Sequence, residues 1–170
     1  VGYKYYETRY FDAVMGQGNA NSAAGATQGS AWNYSDEMLY TFGHGLSYTT
    51  FAYGKAVADK KVMGQDETLT ITLPVTNTGC REGSEVIQLY ISDLQSSLPR
   101  PVKELKGFSK VKLAPGETRE ITFTIGKEAL SFFDDTRHEW VTEPGKFEAL
   151  VGASSTDTVS YTHLRAHETL

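Results

Sequence analysis

Beyond residue 66, apolar and polar residues alternate with a period of two in five segments: "ETLTITLPVTN" (67–77), "SEVIQLYIS" (84–92), "KELKGFSKVKL" (103–113), "TREITFTI" (118–125) and "GKFEALVGA" (145–153). Successive side chains of a strand point to opposite faces, so such a pattern commits one face to a core and the other to water. In the first segment Leu69, Ile71 and Leu73 share one face, and Thr68, Thr70 and Thr72 share the other. The alternation suits half-buried antiparallel sheets.

Turn signals separate these segments: "NTGCREG" (77–83), "APGE" (114–117) and "EPGK" (143–146). Proline pre-sets the backbone at the second turn position and glycine permits the positive φ that often follows, so each Pro-Gly pair is a mechanistic break. About seven short strands at this spacing, with no helical run among them, predict an all-β fold: an antiparallel β-sandwich of the immunoglobulin or fibronectin type III kind over roughly 100 residues. A small barrel is the alternative. Nothing repeats at a fixed period, which argues against a solenoid. The first 50 residues read differently. "MGQGNANSAAGATQGSAWNYSDE" (15–37) sustains neither period and is expected to be a long irregular loop.

Composition limits the function classes. With 39% hydrophobic and 22% charged residues, the 170-residue chain is an ordinary globular sequence, long enough for one domain or for one domain and a piece of another. A net charge of -5 offers no basic surface, so no nucleic-acid partner is expected. No apolar run reaches the roughly 20 residues of a membrane helix, so no membrane partner is expected either. Cys80 is the single cysteine, which excludes an internal disulfide framework and a cysteine-rich metal site. So low a count suits a reducing cytosol and many bacterial exported proteins alike, and leaves cytoplasm, periplasm and secretion open. The opening "VGYKYYETRYF" has neither an initiator methionine nor a signal peptide, and reads as a chain met part-way through.

The candidate chemistry is sparse. Asp134 and Asp135 with Glu139, and Glu82 with Glu85, have the composition of paired glycosidase carboxylates. Both groups border turns, where solvated acids are common, and they read as solvated turn acids. The "GQG" of 16–18 has Asn21 where a dinucleotide fingerprint needs glycine. His44, in "YTFGHGLSYTTF" (40–51), titrates near neutrality, but no nucleophile or orienting carboxylate accompanies it. The glycines beside it argue for tight backbone geometry and for a packed or surface histidine. Cys80 beside Arg81 reads as an incidental thiol. Asn33 opens an "NYS" glycosylation acceptor, meaningful only in a eukaryotic secretory pathway.

Several longer strings together resemble one family. "VGYKYYETR", "YTFGHGLSYTTFAY", "VTNTGCREGSEVIQLYISD", "RPVKELKGFSKVKLAPGETREITFTI", "LSFFD" and "WVTEPGKFEALVGASS" resemble, in this order, the C-terminal part of glycoside hydrolase family 3, the β-glucosidase and β-xylosidase group. The likeness implies a barrel domain and an α/β sandwich domain upstream. Residues 1–50 would then be the tail of the α/β sandwich domain with a connecting loop, and residues 51–157 the fibronectin type III-like domain. The stretch at 40–51 resembles the family's "PFGYGLSYT", with Thr41 where proline is usual and His44 where tyrosine is usual. It is expected to be a joint, anchored by aromatics and bent by glycines.

The resemblance also implies where chemistry is absent. The family's nucleophilic aspartate comes from the barrel and its acid/base carboxylate from an upstream part of the sandwich domain, and neither position exists in this chain. The parent is expected to cleave terminal β-linked glucose or xylose with retention, using two carboxylates about 5 Å apart. This segment is expected to be inactive alone and to pack against and stabilise the catalytic domains of its own chain, reaching a β-glycoside only through them. No catalytic, cofactor-binding or metal-binding residue is assigned, no cofactor is implied, and substrate-binding residues are left open. Trp32 and Tyr34 in the glycine-rich loop are candidates to border a substrate cleft, the alternative being a loop that covers the sandwich.

A rival reading is a stand-alone carbohydrate-binding or adhesion module. It requires an exposed aromatic row, for which Phe132, Phe133 and Trp140 are the downstream candidates; their alternation with core positions predicts burial instead. Finally, "SYTHLRAHET" resembles translated sequencing-adapter read-through, so 158–170 is expected to be a non-native tail outside the fold. The i, i+4 spacing of His163 and His167 matches a helical metal pair. In such a tail that spacing is accidental.

Overall fold

The alternating segments form two facing sheets in the computed structural model, which describes residues 2–10, 39–64, 66–98 and 100–166. In the first sheet β4 (Leu69–Asn77) pairs along its length with β7 (Thr118–Ile125), from Leu69 opposite Ile125 to Thr76 opposite Thr118. Two short strands, β1 (Phe51–Tyr53) and β2 (Val57–Ala58), pair with successive lengths of β4. The second sheet has the order β3, β11, β10, β5, β6. Its members are β3 (Val62–Met63), β5 (Gly83–Asp93), β6 (Glu104–Leu113), β10 (Gly145–Gly152) and β11 (Thr158–Ala166). All its pairings are antiparallel except β3 with β11. A separate hairpin joins β8 (Phe132–Asp134) to β9 (Glu139–Val141).

The period-2 pattern explains the core. Leu69, Ile71, Leu73 and Val75 of β4 and Ile121, Phe123 and Ile125 of β7 meet Ile87, Leu89 and Ile91 of β5, Phe147, Ala149 and Val151 of β10, and Leu164 of β11. The fold is therefore all-β and a sandwich rather than a barrel. Side chains of β5 are buried on both faces from Ile87 to Ser92, because its outer face is covered as well. At the "APGE" turn the Glu117 N–H donates to the Ala114 carbonyl at 3.0 Å and Gly116 has φ 75°, the geometry of a type II turn. "EPGK" differs: Gly145 has no positive φ and opens β10 directly, so that pair starts a strand instead of turning the chain.

Among the described residues two helices flank the strands. The helix α1 (Tyr3–Tyr10) is eight residues long, too short to be stable alone in water, and is held by contacts with the sandwich. Its Tyr3 hydroxyl accepts a hydrogen bond from the Leu105 N–H at 2.9 Å, and Lys4 pairs with Glu104 at 3.4 Å. The single turn α2 (Lys127–Leu130) drops Leu130 into the core between β7 and β8. Beside it Arg100 pairs with Asp93 at 2.8 Å, lies over the Phe132 ring at 5.1 Å and fastens the strap that connects β5 to β6.

Residues 158–166, expected to lie outside the fold, lie within it. Thr158–Ala166 is β11, paired with β10 from Gly145 opposite Ala166 to Gly152 opposite Thr158. "TVSYTHLRA" itself alternates, so Ser160 and Leu164 turn inward while Val159, Tyr161 and His163 face solvent. Without it the backbone groups along that edge of β10 would lack partners. His163 consequently sits on a strand, 3.8 Å from Glu148, and not on a metal-binding helix. His167 lies outside the described residues, as does the 15–37 loop with its "GQG", Asn21, Trp32, Asn33 and Tyr34.

Candidate functional site

The joint at 40–51 lies against the outer face of the second sheet and closes one side of a groove of about 610 Å³. Thr41 to His44 form a turn, with the His44 N–H donating to the Thr41 carbonyl at 3.1 Å and Gly43 at φ 79°. A side chain at Gly43 would be strained by that φ and would place its Cβ 2.0 Å from Gln88 Oε1. Glycine is needed there for both reasons. Gln88, a polar residue in the otherwise apolar "VIQLYI", clamps the turn: its Nε2 donates to the Gly43 carbonyl at 3.1 Å and to the Ala153 carbonyl at 2.5 Å. Its Oε1 accepts from the Tyr90 hydroxyl at 2.5 Å.

Further contacts fasten the joint at both ends. The Ser155 N–H donates to the Phe42 carbonyl at 2.9 Å, and the Thr41 and Thr156 hydroxyls lie 2.9 Å apart. Phe42 stacks on Tyr3 of α1, with centroids 3.9 Å apart and planes at 15°. At the far end the buried Asn77 side chain is fully satisfied. Its Oδ1 accepts from Thr49 Oγ1 at 2.7 Å and the Gly79 N–H at 3.0 Å, while its Nδ2 donates to the carbonyls of Arg81 at 2.8 Å and Leu113 at 2.9 Å. One amide thus ties the joint to two interstrand connections.

The groove lining includes a carboxyl in an unusual setting. The Tyr53 hydroxyl donates to Glu85 Oε1 at 3.1 Å. Burial pushes the Glu85 carboxyl above its ordinary range, with the charge of Asp157 adding to the effect, against the Tyr53 and Val86 N–H hydrogen bonds that favour ionisation. Burial, then the Glu85 charge, pushes the Tyr53 phenol well above its ordinary value. Leu46, Val86, Phe108 and Val159 contribute apolar wall. The groove lining thus combines apolar side chains with one hydrogen-bonded carboxyl.

The sequence-predicted candidates fall into place separately. Glu82 and Glu85 do not come together: Glu82 is exposed and pairs with Lys112 at 2.7 Å, whereas Glu85 is half-buried in β5. Glu85 is thus corrected from a solvated turn acid to a groove residue. Asp134 accepts the N–H groups of Thr136 at 2.9 Å and Arg137 at 3.2 Å, and so organises the β8–β9 turn, with Asp135 and Glu139 exposed. His44 is exposed and stacks on Tyr40 with centroids 5.3 Å apart, so it fills an aromatic place. Cys80 is exposed in the β4–β5 connection.

The aromatic cluster is a further correction. Phe132 is buried, but Phe133 and Trp140 are exposed, because β8 and β9 form a hairpin outside both sheets and only one face of it meets the core. Their rings meet edge to face, 5.8 Å apart at 70°. Sequence reasoning passed over Gln88, Tyr53 and Asn77. Only Gln88 left a signal, as a lone amide inside an apolar run.

Comparison with known proteins agrees with this architecture. Residues 85–155 match the fibronectin type III-like domain family. The chain is 50% identical over 132 residues to the β-glucosidase BoGH3A of Bacteroides ovatus, covering 76% of this chain and 18% of that protein. It is 37% identical over 170 residues to the thermostable β-glucosidase B of Acetivibrio thermocellus, of which it covers 19%. Among solved structures, a β-glucosidase from Listeria innocua in complex with glucose is 34% identical with a TM-score of 0.74, over 86% of this chain and 19% of that one. A β-glucosidase from Kluyveromyces marxianus in complex with glucose is 40% identical with a TM-score of 0.71, over 78% and 16% respectively. The chain therefore spans less than a fifth of the length of these relatives. It belongs to glycoside hydrolase family 3, as a segment carrying that family's fibronectin type III-like domain.

Proposed function

We propose that this chain is the non-catalytic C-terminal part of a retaining, exo-acting β-glycosidase that removes terminal β-linked glucose or xylose. In this reading residues 1–50 complete the upstream α/β sandwich domain and lead into the fibronectin type III-like domain, which packs against the catalytic domains and stabilises them. The observation that carries the reading is the similarity, at 37 to 50% identity, to β-glucosidases of which this chain covers under a fifth. The fastened joint supports it. A connection tied by Gln88 and Asn77 transmits a defined placement from one domain to the next, which matters when catalytic groups lie on different domains.

The test compares the full-length parent with the 170-residue chain on nitrophenyl β-glucoside and β-xyloside. Turnover by the parent and none by the shorter chain is the expected outcome. Turnover by the shorter chain would return attention to Glu85 and Asp157 in the groove. One observation favours the second reading, a stand-alone carbohydrate-binding module: Phe133 and Trp140 are exposed. Their 70° interplanar angle gives no flat platform for a sugar ring. A glycan array probed with the 170-residue chain separates the two, and no binding is expected.

A further inference from the structure

The free edges of the two sheets are not protected alike. An edge strand presents unpaired N–H and C=O groups, and folded proteins shield it with charged side chains, proline, bulges or a covering element. β6 carries Lys106, Lys110 and Lys112, and its Leu105 N–H is taken by the Tyr3 hydroxyl of α1. β11 is joined at its end by β3, where the Arg165 N–H donates to the Lys61 carbonyl at 2.9 Å. β7 differs from both. It pairs with β4 without a bulge, and among the described residues no element pairs with its other edge. From Ile121 to Ile125 it contains no charge and no proline.

The sequence of β7 suits one occupant, a second copy of itself. Antiparallel self-pairing sets residues equally distant from a two-fold axis opposite each other. With the axis at Thr122, Ile121 meets Phe123, Glu120 meets Thr124 and Arg119 meets Ile125, so the central apolar side chains pair and no like charges oppose. Glu117 and Lys127 stand five positions either side of Thr122, which brings opposite charges together at each end. The outward face continues as well. β4 and β7 already match threonines across the sheet, with the hydroxyls of Thr72 and Thr122 3.4 Å apart and those of Thr76 and Thr118 2.7 Å apart. Such pairs stabilise neighbouring strands, and the axis adds Thr122 against its own copy.

We propose that the free edge of β7 is a dimer interface, at which two copies of this chain pair β7 with β7 antiparallel about Thr122 and extend the first sheet across both molecules. Main-chain hydrogen bonds along the edge supply the attraction, and the order of side chains sets the register. The inference is independent of the glycosidase reading, since it uses only the strand and its edge.

Light scattering during gel filtration of the 170-residue chain tests this, together with hydrogen exchange. A concentration-dependent dimer is expected, in which the peptide 118–125 exchanges more slowly as concentration rises. Thr122→Lys sets two lysines opposite each other at the axis and should raise the dissociation constant about fivefold or more. Thr124→Lys sets a lysine opposite the partner's Glu120 and should leave the dimer intact or tighten it. Both positions are exposed, so the melting temperature of dilute samples should not change, and Thr122→Glu repeats the test with the other charge. A monomer at every concentration overturns the proposal. So does a dimer that neither Thr122→Lys nor Thr122→Glu weakens, since another surface would then join the copies. Equal weakening by Thr124→Lys overturns it too, because the register would be wrong.

Discussion

At the scale of single residues, two polar side chains near the joint, Glu85 and Asn77, each make a prediction. Glu85 has its folded-state carboxyl raised above the ordinary value of 4.5 by burial. The folded state then binds the proton more tightly than the unfolded chain. The resulting stability is fully present below the unfolded value and is lost as pH rises through the folded one. At neutral pH the ionised carboxylate is a liability. Glu85→Gln keeps an acceptor for Tyr53 without the charge, and it should raise the melting temperature at pH 7. The gain is on the order of 1–2 °C once solvent screening is allowed for. At pH 3.5 the gain should vanish, and scans at both pH values check it. Asn77→Ala strips partners from Thr49, Gly79, Arg81 and Leu113 together, leaving two carbonyls and one N–H without a partner. A loss of about 2–4 kcal/mol is expected in urea unfolding. Neither role was legible in the sequence, because "VTNTGC" shows a turn asparagine and not the strands that its side chain joins.

At the scale of elements, the five alternating segments foretold β4, β5, β6, β7 and β10 to within two residues at each end. Alternation and β-branched content act within a strand, so they survive without knowledge of the neighbours. Where neighbours decide, the sequence was silent or misleading. The α1 helix exists because Tyr3 and Lys4 find the edge of β6. The β8–β9 hairpin exposes Phe133 and Trp140 because it leaves both sheets. The final segment is the sharpest case. Its likeness to a foreign string suggested exclusion, whereas its own alternation makes it a sheet strand with Leu164 in the core. Leu164→Ala should therefore cost about 2–5 kcal/mol. Denaturant titration of the 170-residue chain tests this, and an unchanged midpoint would mean that β11 does not belong to the cooperative unit.

At the scale of the whole molecule, charge is distributed to fasten and not to attract. Burial works against the charge of Glu104, but the hydrogen bond and charge of Lys106, then the charges of Lys4 and Arg100, outweigh it and hold the carboxyl below its ordinary range. The same cluster binds α1, β6 and the β5–β6 strap together. Burial pushes the Asp93 carboxyl up, against the hydrogen bond from Gln95 and the charge of Arg100. The fastened face is the one on which the joint and α1 meet. Inactivity of the isolated chain on nitrophenyl glycosides, alongside activity of the parent, is the prediction that belongs to this scale.

By itself the sequence determined the class of fold, the strands β4, β5, β6, β7 and β10, the turn at 114–117 and, by resemblance, the family. These rest on local periodicity, on the conformational freedom of glycine and proline, and on motif order, all of which are properties of the chain read along its length. Tertiary structure alone decided that Glu85 lies under Tyr53, that Gln88 clamps Gly43, that Phe133 and Trp140 face water, and that 158–166 closes a sheet. Each of these depends on a partner 32 residues or more away, or on the layer a strand joins, or on what covers its outer face. Such separations carry no local signal, so only the packed sandwich could settle them.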